Sequence, residues 1–302
     1  MSSDDLPPLQ RASATPAGSR ERRALQRGAL SRELVVVWPG VFVDAAAWHG
    51  LTPDARYILR IRAAVPRLEP RYVVSHASAL AVHGVSSLRP WPRKVHVVDP
   101  SGDRGQSRGG LAKHPGPLAA ADVCLVDGIR ATGLARTCVD LALEAPFEVA
   151  VAAIDECLRR EFVTGHDLAQ RLAVRPHARG RVAARRALAF ANAKSDSGGE
   201  SWCRCRLFEL GTPCPTQQEE FTDAFGLIGF VEFWFAEQSV VVEFDGDQKY
   251  LNPRYTRGRT PAEVALAERK RERRLLALPA CARWFAWSGG TWWSRGGSVA
   301  CS

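Results

Sequence analysis

The residues best able to do chemistry sit late in the chain. Ser239-Val-Val-Val-Glu243-Phe-Asp245-Gly246 is a strongly β-forming run that ends in two acids and a glycine turn. Side chains alternate across a strand, so Glu243 and Asp245 point to one face and Phe244 to the other. Upstream, Leu227–Phe235 sets Glu232 among apolar neighbours, and a hairpin around Ala236–Gln238 would carry it toward the acidic pair. Carboxylates embedded in apolar strands are costly unless something compensates them. A divalent cation can do so, and hard oxygen ligands with open positions suit Mg²⁺ or Mn²⁺. Such an ion lowers the pKa of bound water and offsets charge developing on a phosphate. Lys249, four residues past Asp245, is the only lysine nearby and could orient the attacking water or stabilise the transition state. Glu200, at the start of a helix expected to run to about Leu210, belongs to the same unit. The competing reading is an ordinary hairpin with solvent-facing acids.

Several elements must hold these groups. Gly211-Thr-Pro213 stops the Glu200 helix, and the strands at Leu227–Phe235 and Ser239–Asp245 follow. Thr260-Pro-Ala-Glu263 has capping-box form with proline at the first helical position. The helix it opens continues through Glu268-Arg-Lys-Arg-Glu-Arg-Arg274 to Leu276. Its Arg269, Lys270 and Arg273 form a cationic stripe suited to a DNA backbone or, alternatively, to plain solvation. Lys194–Gly199 (KSDSGG) reads as a linker, so this unit is expected to span 193–302.

The front of the chain carries the charge. Residues 1–192 hold 27 basic and 18 acidic residues, whereas 193–302 hold 14 of each, so the net +9 resides in the front. That imbalance suggests a polyanion partner, most simply nucleic acid, although an Arg-rich composition can also reflect a GC-rich genome. Residues 1–18 read as a flexible leader. Ser19 can cap a helix carrying Arg20, Arg22, Arg23 and Arg27, and Gly28 can end it. Leu34-Val-Val-Val-Trp-Pro-Gly-Val-Phe-Val43 then reads as a hairpin turned at Pro39-Gly40. A basic helix followed by a tight hairpin is the order of a winged helix-turn-helix, expected here over 19–54, with Arg32 also placed to meet phosphates.

Residues 55–192 are expected to form a mixed α/β middle domain. Ser75 can cap a helix ending near His83-Gly84, on which His76 and His83 read as packed or contact histidines. Lys94–Asp99 and Val123–Val126 read as strands around a Gly/Arg/Ser loop at 100–110. Helices follow Thr132, Pro146 and Thr164, the last with capping-box spacing to Asp167, and an Arg-laden helix covers roughly 179–191. Asp127-Gly128 reads as a turn. No catalytic set stands out between 93 and 192.

Composition narrows the class. Of 302 residues, 46% are hydrophobic and 24% charged, as in soluble globular chains of about two or three domains. The longest apolar runs are too short to span a bilayer, and the N-terminus lacks a signal pattern, so a cytoplasmic, membrane-free protein is expected. The eight cysteines, at 124, 138, 157, 203, 205, 214, 281 and 301, contain no paired Cys-x-x-Cys units and read as free thiols.

Taken together, Glu200-Ser-x-x-Arg204, Glu232-Phe-Trp, Val242-Glu-Phe-Asp-Gly246, Lys249-Tyr250 and Lys270-Arg-x-x-Arg-Leu275 resemble the very-short-patch-repair-like (DUF559-type) endonuclease domain of the PD-(D/E)XK superfamily. The resemblance implies an α/β core with a mixed sheet and Mg²⁺-dependent phosphodiester cleavage. By position, Glu232 takes the place of the family's first-strand aspartate, and Glu243 and Asp245 match its Glu-x-Asp. These three would be the metal ligands, with Lys249 and Glu200 completing the catalytic set. The front half resembles proteins with an AbiEi-type antitoxin winged-helix domain. The cues are Leu34–Val43, Ser75-His-x-Ser-Ala79, Val126-Asp-Gly128, Leu134-Ala-Arg-Thr137 and Val139-Asp-Leu141. That resemblance implies DNA and a cognate toxin as partners in a type IV toxin–antitoxin or defence setting. The whole is thus expected to be an α/β (α+β) chain of winged helix, AbiEi-like middle domain and restriction-endonuclease-like C-terminal domain. A non-catalytic regulator with a degenerate nuclease domain is the alternative. Two departures stand out: glutamate replaces aspartate at 232, and the tract after Leu278 lacks the family's Gly and Val-x-Arg strand. A reading-frame shift near residue 278 that replaces the last strand accounts for the latter.

Overall fold

Two β-branched runs flank Pro39-Gly40, and the hairpin expected there is present. A computed structural model describes residues 6–102, 104–244, 260–278, 283–288 and 291–294. In it, β1 (Gln10–Arg11) precedes a hairpin of β2 (Leu34–Trp38) and β3 (Val41–Asp44), and the sheet order is β1-β3-β2. Gly40 turns the hairpin at φ 71°, a conformation that costs other residues more. β1 corrects the expectation of a flexible leader: Ala12 is buried, and the Arg11 guanidinium donates to the carbonyls of Ala63 and Arg62 at 3.2 and 3.0 Å. Helix α1 (Arg20–Leu30) starts as expected, with Ser19 Oγ accepting from Arg22 N–H, but it runs past Gly28. Gly28 serves close packing instead, since a Cβ there would lie 2.9 Å from Leu34 Cδ1. Among the described residues α1 is the one α-helix ahead of the hairpin.

The chain forms two units, Met1–Phe190 and Ala191–Ser302. In the first, α2 (Ala45–Gly50) and α3 (Pro53–Ala64) lead to β4 (Val73–Val74) and α4 (His76–Val82). Strands β5 (Val95–Asp99), β6 (Gln106–Arg108), β7 (Leu111–Pro115), β8 (Val123–Val126) and β9 (Ile129–Thr132) join β4 in a six-stranded sheet ordered β6-β7-β5-β4-β9-β8. One core joins the hairpin to this sheet: Val41, Val43, Leu59, Ile61, Val74, Val95 and Val97 are buried together. The expected 54/55 boundary therefore runs through shared packing. Four helices follow, α5 (Leu134–Glu144), α6 (Phe147–Arg159), α7 (Gly165–Ala173) and α8 (Arg181–Phe190), with α5 packed on the other three. Thr164 and Asp167 form the expected capping box. Thr132 does not cap α5. It ends β9, and its buried hydroxyl lies 2.7 Å from that of Thr137.

The second unit begins with α9 (Gly198–Glu209), two residues earlier than expected because Ser197 caps it. Strands β10 (Thr216–Asp223), β11 (Gly226–Phe235) and β12 (Val240–Phe244) form an antiparallel series. Helix α10 (Pro261–Leu276) opens with the expected Thr260–Glu263 capping box. β13 (Arg283–Ser288) then pairs parallel with β12, and β14 (Thr291–Ser294) closes the sheet in the order β10-β11-β12-β13-β14. The tract expected to have lost the last strand therefore supplies one. Cys203 and Leu207 of α9 pack with Phe233, Phe235 and Val242, while Leu275 of α10 packs with Val231, Trp234 and Val241. Among the described residues no helix is long and apolar enough to cross a membrane.

One buried phenol links core packing to pH. Tyr57 OH lies 2.6 Å from Ser78 Oγ and donates to Lys94 O at 2.9 Å, and burial pushes its pKa up to about 12. A phenol raised above its unfolded value of about 10 stabilises the fold below that pH and loses the contribution as pH climbs toward the folded value. Tyr57→Phe is expected to cost about 1–2 kcal/mol at neutral pH and to flatten the alkaline loss of stability, as read from urea unfolding across that range.

Candidate functional site

Antiparallel pairing of β11 with β12 runs Phe235–Val240, Trp234–Val241 and Phe233–Val242. One step further would set Glu232 opposite Glu243, and there the ladder stops. Glu232 turns its carboxylate into the gap, accepting from Phe244 N–H at 2.6 Å. Glu232 and Glu243 therefore stand on neighbouring, paired strands. Glu243 is 7% exposed, so its charge needs a local partner. It has one in Arg271 of α10, whose guanidinium reaches the two carboxylate oxygens at 3.1 and 2.7 Å. Arg271 also donates to Phe230 O. Its pKa is raised by the nearby charges of Glu243, Glu232 and Glu268, which outweigh its burial.

Glu200 sits at the third helical position of α9. It is buried, accepting from Asp196 N–H at 2.9 Å, Ser197 Oγ–H at 3.0 Å and Gln218 Nε2 at 3.1 Å. Cys203, one turn along, is where Glu200 and Glu232 are felt together. Burial first, then the two carboxylates, pushes its thiol far above the usual range. Among the described residues the oxygens of Glu200, Glu232 and Glu243 do not form a three-donor group within 4.8 Å. Asp245 and Lys249 lie outside the described residues.

Helix α10 sorts its cations by face. Arg269, Lys270 and Arg273 are exposed, as either a phosphate-facing stripe or a solvated face would have them. Arg271 and Arg274 turn inward with the buried Leu275. Arg274 binds Asp223 through Nε and Nη2 at 2.7 and 2.6 Å. The arginine that neutralises the site was not singled out from sequence as a site residue. Its signal was present: Arg271, Arg274 and Leu275 are spaced for one helical face.

In the first unit Arg20, Arg23, Arg27 and Arg32 are exposed and Arg22 is half-buried, and none of the five forms an ion pair among the described residues. Other arginines there hold the fold. Arg136 is buried, its Nε donating to both oxygens of Asp140 at 3.0 and 2.9 Å and its Nη1 to Asp122 Oδ2 at 3.1 Å. Arg171 pairs with Asp122 at 2.7 Å, and Arg175 pairs with Asp140. His83, read as a contact histidine, sits with Nε2 2.9 Å from Thr132 O, and burial pushes its pKa down.

Residues 72–190 match the family model of the AbiEi antitoxin C-terminal domain. That span holds the six-stranded sheet, α4 to α8 and the Arg136 network. Two proteins of Mycobacterium tuberculosis are similar to the chain: the uncharacterized protein MT2308 of strain CDC 1551 / Oshkosh and the uncharacterized protein Rv2248 of strain ATCC 25618 / H37Rv. Each is 28% identical over 159 residues, covering 53% of this chain. The chain spans about 58% of the length of these curated relatives. Among solved structures, the crystal structure of RV2827C protein from Mycobacterium tuberculosis aligns over 73% of this chain and 85% of that one, with a TM-score of 0.40 and 16% identity.

Removing one partner of a buried ion pair leaves an uncompensated charge, whereas removing both does not. Arg271→Met is expected to destabilise the second unit by about 3 kcal/mol. Adding Glu243→Gln should restore most of that. Urea unfolding of the two single variants and the double variant measures the coupling, and additive losses would show that the pair is not a unit.

Proposed function

We propose that the chain is a DNA-interacting protein of antitoxin type, with a cognate toxin as a further partner, whose second unit is a Mg²⁺- or Mn²⁺-dependent endonuclease. The observation that carries the nuclease reading is the position of Glu232 and Glu243 on adjacent strands where the β11–β12 ladder ends. The order of elements supports it: a helix, three antiparallel strands, a helix and a parallel strand, with one helix on each face. This is a mixed sheet of the kind that the very-short-patch-repair-like resemblance implies.

The chemistry of the donors fits a hard divalent ion. Arg271 already stands as a cation at Glu243, which marks the position as one that demands positive charge. Glu232, Glu243 and Asp245 would hold the metal, and the ion would supply an activated water and offset charge on the phosphate. The chain's own residues do the remaining work. Glu200 fixes the N-terminal turn of α9 against β10 through Gln218, Lys249 would orient the attacking water, and exposed Arg269, Lys270 and Arg273 would grip the phosphodiester backbone. In the first unit, Arg20, Arg22, Arg23, Arg27 and Arg32 form a second set of phosphate contacts.

A second reading has a specific observation behind it. The bidentate Arg271–Glu243 pair leaves Glu243 satisfied without any metal, as in a binding surface that retains a nuclease fold without activity. In that case the protein is a non-catalytic regulator.

Plasmid nicking with Mg²⁺ separates the two. The nuclease reading expects wild-type protein to cut and Glu243→Ala or Glu232→Ala to lose at least about a hundredfold in rate. Equal cutting by all three would refute the site, and tight, salt-sensitive binding without cutting would favour the regulator. Replacing Arg269, Lys270 and Arg273 by alanine should weaken DNA binding at every sequence tested. It should also lower the slope of log affinity against log salt by up to about 3, close to one per lost contact. An unchanged slope would remove α10 from the interface.

A further inference from the structure

Among the described residues, one group of three metal-ligating side chains gathers closely, and it lies in the first unit. His76, His114 and Glu144 each offer an atom, and these lie within 4.8 Å of one another. They come from three separate elements: His76 is the first residue of α4, His114 lies on β7 and Glu144 ends α5. His76 takes φ 50°, a backbone region that few residues other than glycine adopt, so its placement is imposed by the surrounding fold. Its ring is buried, with Nδ1 2.9 Å from Ser75 Oγ. Its Nε2 has no hydrogen-bond partner and sits 3.6 Å from Glu144 Oε2.

His114 completes the arrangement. Its ring stacks on that of His76 with centroids 3.6 Å apart. Its Nδ1 reaches the same Glu144 oxygen at 2.9 Å, and its Nε2 lies 2.9 Å from His96 Nδ1. Two imidazole nitrogens thus converge on one carboxylate oxygen, and the buried one has nothing else to bind. A divalent cation between them satisfies all three groups at once.

We propose that His76, His114 and Glu144 form a Zn²⁺ site in the first unit, with His96 as its positioning residue. Two imidazoles and a carboxylate are donors that Zn²⁺ accepts, leaving a fourth place for water or a partner's ligand. Glu144 is half exposed, which gives the ion a route in from solvent. With His114 binding through Nδ1, its Nε2–H donates to His96, and an acceptor at that position fixes the tautomer and ring orientation of a metal-bearing histidine. The site lies within residues 72–190 and is independent of the nuclease reading.

The test uses the full chain, stripped with a chelator and titrated with Zn²⁺, then with Co²⁺ as a spectroscopic substitute. One equivalent is expected, with cobalt ligand-field bands and no thiolate charge-transfer band. Glu144→Ala and His114→Ala should each weaken Zn²⁺ binding by more than about tenfold, while Glu33→Ala, at an exposed position, should leave binding as in wild type. Circular dichroism checks that the variants fold. A second readout needs no variant: Zn²⁺ should move the imidazole nitrogen resonances of His76 and His114 in long-range ¹H–¹⁵N spectra. Zn²⁺ affinity unchanged by both Glu144→Ala and His114→Ala, a thiolate band, or a folded wild type whose histidine resonances ignore Zn²⁺ would each overturn the assignment.

Discussion

Two carboxylates facing each other across adjacent strands cannot stay charged in an apolar layer unless a cation comes with them. Like charges repel more strongly as the effective dielectric falls. Glu232 and Glu243 lie on adjacent strands where the ladder stops, and each has a compensating donor. Phe244 gives Glu232 a backbone N–H in place of the next ladder bond, and Arg271 reaches over from α10 to take both oxygens of Glu243. That reach ties α10 to the sheet, and Leu275, one turn further on, completes the contact in the core. Under the proposed nuclease reading, a divalent metal would answer the same charge demand and would have to share Glu243 with Arg271.

The first unit solves a related problem with the same residue type. Asp122 and Asp140 are buried and are bound by Arg136, Arg171 and Arg175, which draws the start of α5, the end of α7 and the turn after it together. Arg11, Arg56 and Arg130 spend their donors on backbone carbonyls. Part of the front half's positive excess is therefore structural, and net charge alone overstates the surface offered to a polyanion. Arg20, Arg23, Arg27 and Arg32 are among the arginines left facing solvent.

How far the sequence could be read depended on how local each signal was. The capping boxes at Thr164–Asp167 and Thr260–Glu263, the Pro39-Gly40 hairpin and the Asp127-Gly128 turn are decided within four residues, and all are present. β10 went unread because Thr216-Gln-Gln-Glu-Glu-Phe-Thr-Asp223 is polar on both faces, as an edge strand can be. β7 was hidden by its lack of alternation, and it carries His114. Ser75 and Thr132 looked like side-chain caps, but their hydroxyls turn to neighbouring side chains, His76 for one and Thr137 for the other. For the site, sequence could place the acids on adjacent strands because a hairpin is local. It could not assign Arg271 to Glu243, 28 residues away, or bring His76, His114 and Glu144 together from three elements.

The central claim is that Glu232 and Glu243 share one divalent ion. It is tested most directly by a crystal structure of the full chain grown with Mn²⁺ and measured at a wavelength where manganese scatters anomalously. The account predicts an anomalous peak within bonding distance of oxygens from both Glu232 and Glu243, with Arg271 giving up at least one of its two bonds to Glu243. A clean map with no manganese at that position, and Arg271 still holding both oxygens, would contradict it.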